Sequence, residues 1–323
     1  MARPEGLTPL AHSTLLYDAY GRGVNSIRIS LTQRCNLRCF FCHKEGETSV
    51  KDEMSLEEIV GIAKTACALG MRRVKLTGGE PLLRDDLSQI VSGIARYAEE
   101  VALTTNGVQL VDRAEELRRA GLNRVNVSLH SIDPQTYSKI TGRNYQKQVL
   151  QGIKTALDEG LEPLKVNMVV LKGMNDDEIP SMINLAADLG FILQLIEFQP
   201  VQKASATHWQ SFHDDLTGIE AWLRKNAHDI EERSMHRRVK YFLEREGHSV
   251  CVEVVRPMHN PAFCSNCTRL RVTSDGKLKP CLLRNDNLVE AAAILRNGGS
   301  LQELEKAFRT AVELREPYWK EPR

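Results

Sequence analysis

No apolar run in the 323-residue chain reaches the roughly 18 residues that a membrane-spanning helix needs, which excludes a helical span. An excess of charge of one sign is also missing: 43 Lys and Arg face 42 Asp and Glu, leaving a formal +1. A chain so balanced has no global attraction for nucleic acid or an anionic membrane, so any anion site has to be local. Neither an internal repeat nor a low-complexity segment occurs, which excludes solenoid architectures. A G-x-x-x-x-G-K-S/T loop is absent as well, and with it the backbone cradle that such a loop gives a nucleotide triphosphate. Isolated basic side chains would have to replace it. The opening "MARPEGLTPLAHSTLLYDAYGRG" puts charge and proline where a signal peptide needs an apolar core, so the expected location is the cytoplasm.

What is present begins with a rhythm. From Ser26 onward, short strand-like runs alternate with helical patterns: "SIRISLT", "RRVKLT", "VALTT", "RVNVSL", "LKVNMVV" and "ILQLIEF". Helices are expected after Ser55, which forms a capping box with Glu58, and over Asp86 to Tyr97, Asp112 to Arg119, Tyr145 to Glu159 and Asp176 to Leu189. Regular alternation of this kind argues for a parallel sheet with right-handed crossovers. Six strands are too few for a closed (β/α)8 barrel, so the expected fold is α/β, an open, partial TIM-like (β/α)6 barrel with chemistry at its C-terminal strand ends. After "EFQPVQ" the rhythm stops, and the polar run from Pro200 to Asp215 reads as a linker. A helical "TGIEAWLRKNA", a charged "EERSMHRRVKYFLEREG", a strand-like "HSVCVEVV" and two helices around "NGGS" follow. The expected division is a partial barrel over residues 1–199 and a C-terminal auxiliary region over 200–323.

Eight cysteines are present, and six fall in two short groups. Cys67 and Cys251 sit in a helix-like and a strand-like run and read as small buried hydrophobes. The first group, "RCNLRCFFCHKEG", spaces Cys35, Cys39 and Cys42 as C-x3-C-x2-C directly after the first strand. Three thiolates can hold three irons of a cubane and leave the fourth open; a zinc ion completed by His43 is the other reading of the spacing. The second group, "FCSNCTRLRVTSDGKLKPC", holds Cys264, Cys267 and Cys281 as C-x2-C-x13-C and is again one ligand short, with His259 as a zinc alternative. Beside it, "TRLR" puts Arg269 and Arg271 on one face of an extended segment, an arrangement suited to phosphate oxygens.

The motif "CNLRCFFC" together with "TGGEP" at Thr77 to Pro81 resembles the radical S-adenosylmethionine superfamily. The resemblance implies that a 4Fe-4S cluster on the first triad binds S-adenosylmethionine and cleaves it to a 5'-deoxyadenosyl radical, with the protein supplying geometry and dryness. The second triad with its Arg-x-Arg, and the run "DAYGRGVNSIRISLTQRCN", are similar to the GTP 3',8-cyclase family of molybdenum cofactor synthesis. "TTNG", "NVSLHS", "ITG" and "KVNMVV" follow in the same order, so the resemblance spans Asp18 to about Leu283. It implies a lyase that rearranges GTP to (8S)-3',8-cyclo-7,8-dihydroguanosine 5'-triphosphate, with a second 4Fe-4S cluster holding the base. Arg28, Lys75, Thr104, Lys165, Arg269, Leu270 and Arg271 would then bind GTP, Arg269 and Arg271 with catalytic roles. Phe41, Gly79, Ser128 and Gln199 would contact S-adenosylmethionine.

The same resemblance implies a ferredoxin- or flavodoxin-like electron donor and a downstream cyclic pyranopterin monophosphate synthase, and it allows a homodimer. Three positions depart from the bacterial pattern: Lys75 replaces an arginine, Gln199 replaces a methionine, and the chain ends "YWKEPR" instead of paired glycines. "FFCHKEG" is similar to the archaeal branch. A peptide-modifying radical enzyme with an auxiliary cluster, and a non-catalytic zinc-binding α/β protein, are the competing readings.

Overall fold

A computed structural model describes residues 15–47, 52–201 and 203–320; residues 1–14, residues 48–51, Gln202 of the expected linker and residues 321–323 of the "YWKEPR" tail lie outside the described residues. The strands in chain order are β1 (Ser26–Ser30), β2 (Arg73–Thr77), β3 (Glu100–Thr105), β4 (Arg124–Ser128), β5 (Lys165–Val170), β6 (Ile192–Glu197), β7 (Asp229–Glu232), β8 (Val239–Arg245), β9 (His248–Val255), β10 (Arg269–Val272), β11 (Lys277–Lys279) and β12 (Val289–Glu290). Helices α1 (Leu56–Ala68), α2 (Leu87–Ala95), α3 (Leu110–Arg119), α4 (Pro134–Thr141), α5 (Gln146–Asp158) and α6 (Ile179–Leu189) lie between β1 and β6. Later come α7 (Lys203–Phe212), α8 (Thr217–Asn226), α9 (Pro261–Ser265), α10 (Ala292–Arg296) and α11 (Leu301–Glu313).

All six expected barrel strands form, and they pair in parallel, in sequence order, as an open arc. Strand alternation divides their side chains between two faces. Ile27 and Ile29 of β1, Val74 and Leu76 of β2, Val125 and Val127 of β4, and Leu193 and Leu195 of β6 are fully buried in one apolar core. The alternate residues, Arg28, Lys75, Thr104, Asn126, Lys165, Asn167 and Gln194, line an inner cavity instead. A closed barrel fills that space with branched apolar side chains; here it is polar, and roomy enough for a ligand.

Helix α1 starts as the sequence predicts: Ser55 Oγ accepts from the Glu58 N–H, and the Glu58 carboxylate accepts from the Ser55 N–H. Two features differ from expectation. The run read as a linker contains α7, whose Trp209 and Phe212 join Phe40, Phe41, Ile140, Leu171 and Phe198 in a small apolar cluster over the first cysteine loop. Its polar composition hid a helix that needs only one apolar edge to dock. The "charged stretch" is the hairpin β7–β8, which pairs antiparallel with β9.

The C-terminal strands extend the same sheet on both sides. Strand β10 pairs in parallel with β1, and β9 in parallel with β6, so the sheet runs β12-β11-β10-β1-β2-β3-β4-β5-β6-β9-β8-β7. No helix among the described residues is long and apolar enough to cross a membrane.

Candidate functional site

The first triad occupies the loop after β1, and Cys35, Cys39 and Cys42 all face the cavity. Two motifs hold this loop. The Gly79 N–H donates to the Thr32 carbonyl at 2.6 Å and the Glu80 N–H to the Arg34 carbonyl at 2.8 Å, docking "GGEP" against the loop. A Cβ on Gly79 would lie 2.3 Å from the Arg34 carbonyl oxygen and 2.7 Å from that of Gln33. Glycine here therefore serves a close approach to the cysteine loop, whatever it also offers a ligand. The Glu80 carboxylate accepts from the Thr105 hydroxyl at 2.6 Å and the Asn106 N–H at 2.7 Å, and the Asn106 amide donates to Asn36 Oδ1 at 2.7 Å. Burial pushes Glu80 up to about 7 against those bonds.

His43, the alternative zinc ligand, turns Nδ1 to the Glu45 N–H at 3.0 Å. Phe41 packs edge-on to His130, with ring centroids 4.8 Å apart, and lines the cavity beside Ser128 and Gln199. Burial pulls His130 down to about 4, so its imidazole is neutral; its Nδ1 accepts from the Val169 N–H at 3.1 Å.

Cys264, Cys267 and Cys281 line the same cavity. A buried ion network fixes their loop. Asp18 pairs with Arg22 at 2.8 Å and with Arg315 at 2.9 Å, while Arg22 donates to the Cys264 carbonyl at 2.8 Å and Arg315 to the Cys267 carbonyl at 2.5 Å. The Trp319 N–H donates to Cys264 Sγ at 3.5 Å, bringing the C-terminal segment onto the triad. His259, the other alternative zinc ligand, packs its ring on Trp319 at 4.1 Å. Among the described residues, no group of three or more His, Cys, Asp or Glu side chains is disposed to hold a single ion. Three thiols on one loop are the donor set of a cubane in which each thiolate takes one iron and the fourth iron stays open.

Between the triads the cavity is cationic. In register across three parallel strands stand Arg271, Arg28 and Lys75. Glu45 bridges two of them, accepting from Arg28 at 3.2 Å and Arg271 at 2.6 Å, with the Thr77 hydroxyl at 3.1 Å. Burial alone would raise the Glu45 carboxyl, but Arg28, Arg271, His43 and Thr77 together hold it far below the usual range. Lys75 donates to Asn126 Oδ1 at 3.0 Å, and Arg269 points its guanidinium to the Met235 sulfur, at 3.8 Å. Among the described residues neither has a carboxylate partner, and burial together with neighbouring cations disfavours the charge on both.

Lys165 is paired with Glu253, which also holds Arg233 at 3.1 Å and Arg238 at 3.4 Å. The Leu270 side chain turns away from Arg269 and Arg271 into the apolar core, so only its backbone is on offer to a ligand. Arg28 Nε, Thr104 Oγ1, Asn167 Oδ1 and Arg238 Nε are buried without a hydrogen-bond partner, all in residues that line the cavity. Orphaned polar atoms and uncompensated guanidinium groups are costly, and a polar, polyanionic ligand relieves both. The cavity, about 470 Å3, is of a size to hold one.

Sequence reasoning missed Glu45, Glu253, Arg233, His236 and Arg238. His236, buried and stacked on Phe263 at 3.9 Å, had no motif to mark it.

An open parallel barrel arc with a three-cysteine loop after its first strand defines the class. The family described as "Radical SAM superfamily" matches residues 29–186, and "Molybdenum Cofactor Synthesis C" matches residues 191–321. The probable GTP 3',8-cyclase of Thermococcus kodakarensis is 50% identical over 308 residues, covering 95% of this chain and 100% of that protein. That of Pyrococcus abyssi is 48% identical over 306 residues, covering 94% and 100%. The chain belongs to the radical SAM superfamily and, within it, to the GTP 3',8-cyclase family. Among solved structures, SuiB of Streptococcus suis bound to precursor peptide SuiA aligns with a TM-score of 0.64 at 16% identity, over 90% of this chain and 68% of that one, a likeness of fold alone.

Proposed function

We propose that this enzyme rearranges GTP to 3',8-cyclo-7,8-dihydroguanosine triphosphate, the first step of molybdenum cofactor biosynthesis. The observation that carries the reading is one cavity lined by two cysteine triads and, between them, by guanidinium groups with too few carboxylates. Cys35, Cys39 and Cys42 would hold one 4Fe-4S cluster, and Cys264, Cys267 and Cys281 a second. When bound, the first cluster and S-adenosylmethionine supply the one-electron chemistry that begins hydrogen-atom abstraction. The chain's own residues do the rest. Arg28, Lys75, Arg269 and Arg271 neutralise and orient the triphosphate, and Thr104 offers a hydroxyl. Phe41, Gly79, Ser128 and Gln199 line the S-adenosylmethionine end. The apolar cluster over the first loop excludes water, which preserves the alignment on which such a reaction depends. A ferredoxin- or flavodoxin-like donor, transfer of the product to cyclic pyranopterin monophosphate synthase, a homodimer and a cytoplasmic location belong to this proposal through the family resemblance.

The test is anaerobic incubation of reconstituted protein with GTP, S-adenosylmethionine and a reductant, followed by mass analysis. Formation of 5'-deoxyadenosine with GTP unchanged would sink the substrate assignment and leave the radical chemistry standing. Arg269→Ala should weaken GTP binding about tenfold or more, the loss of a charge-assisted contact, with iron–sulfur absorption intact. Loss of absorption would make that arginine structural.

A further inference from the structure

The turn between β7 and β8 reaches the cavity from a stretch whose sequence shows only charge. It is closed by the Arg233 N–H donating to the Arg238 carbonyl at 2.8 Å, and it is tied to the second cysteine loop by the His236 N–H donating to the Asn266 carbonyl at 3.0 Å. Two of its residues, His236 (φ 64°) and Arg237 (φ 50°), hold left-handed backbone that side chains other than glycine rarely adopt. Such conformations persist where surrounding contacts enforce them, and they concentrate at binding sites. The result is that Arg233, Met235, His236 and Arg238 all line the cavity.

Arg233 and Arg238 share Glu253 with Lys165, so three cations converge on one carboxylate. Gln194 also donates to that carboxylate, at 2.6 Å. Burial alone would raise Glu253, but Lys165, Arg238 and Arg233 hold it down to about 2, and it stays ionised. One negative charge cannot balance three positive ones. Arg238 in addition keeps a buried Nε–H with no partner. A carboxylate that presets guanidinium geometry while leaving charge and donors unspent is the arrangement expected of a phosphate subsite.

We infer that Arg233 and Arg238, with Lys165, clamp the polyphosphate tail of the nucleotide, and that Glu253 positions them. The inference rests on the reading of GTP as substrate. Fork geometry matters at such a site, so lysine is not an equivalent replacement.

The experiment is anaerobic calorimetry on the holoenzyme with GTP, ATP, guanosine and inorganic tripolyphosphate, comparing wild type with Arg238→Ala, Arg238→Lys and Arg233→Ala. Arg238→Ala and Arg233→Ala should each weaken GTP and tripolyphosphate by about tenfold while guanosine stays within about twofold, and Arg238→Lys should fall between. Arg233 is a third exposed, which keeps the test open if Arg238→Ala fails to fold. Unchanged GTP and tripolyphosphate affinity, or an equal loss for guanosine, overturns the clamp. If wild type prefers GTP no more than ATP, the substrate reading fails, and the tripolyphosphate comparison still decides the clamp.

Discussion

Glu253 shows how one side chain can govern a site without touching the chemistry. Its carboxyl is fully buried, and burial by itself favours the neutral acid; Lys165, Arg238 and Arg233 outweigh that and bring it down to about 2. A carboxyl depressed in the fold stabilises it fully above its unfolded value, roughly 4.3, and that stability is lost as pH falls toward the folded value. Glu253→Gln should therefore cost about 3 kcal/mol at pH 7, because it strands three cations. Urea unfolding of the cluster-free wild type and variant should show this gap closing between about pH 5 and pH 2; a gap independent of pH would assign the loss to packing instead. At this scale the sequence was half readable. Both cysteine triads, Arg28, Lys75, Thr104, Arg269 and Arg271 were marked by spacing, strand alternation or resemblance, and all line the cavity. Glu45 and Glu253 were not, since their partners lie far away along the chain: Arg271 is 226 positions from Glu45 and Lys165 is 88 from Glu253.

Elements place those side chains, and the most constrained junction is the one at Gly79. With carbonyl oxygens 2.3 and 2.7 Å from the site of a Cβ, backbone has to move for any side chain to fit. Gly79→Ala should therefore disturb the first cysteine loop and leave the second triad alone. On the proposal that each triad holds one cluster, iron content should fall by about half, and the spectroscopic signal of the cluster on the first triad should be the one lost; undiminished iron content and signal would refute the role given to this contact. The six barrel strands and their helices were legible because strand runs and helical patterns alternate cleanly. Helix α7 was not, because "KASATHWQSF" has few apolar residues and its docking depends on Phe40, where ring centroids lie 5.2 Å from His208 and 5.4 Å from Phe212. Helix α4 also escaped, although Asp133 caps it with a 2.8 Å bond to the Thr136 N–H and Gly142 ends it in left-handed backbone.

For the whole molecule, the sequence pointed to a barrel followed by an appended region, and the sheet is continuous through both. Nothing in a single chain's local pattern reveals that β10 will flank β1 or that β9 will flank β6, since these pairings are set by topology. The consequence is a prediction about dissection. A fragment of residues 1–199 would leave β1 and β6 as bare edges, and unpaired parallel edges of apolar strands invite aggregation. It should be insoluble, or elute as large assemblies in size-exclusion chromatography, whereas the full chain gives a discrete species. A monodisperse, cooperatively unfolding fragment would show that the arc is self-sufficient.

The pairing of β1 with β10 also has a meaning in time. Strand β1 and the first cysteine loop are made well before β10, the strand that flanks β1. Long-range pairing of this kind folds slowly. The edge of β1 is therefore closed only once β10, far later in the chain, has been made.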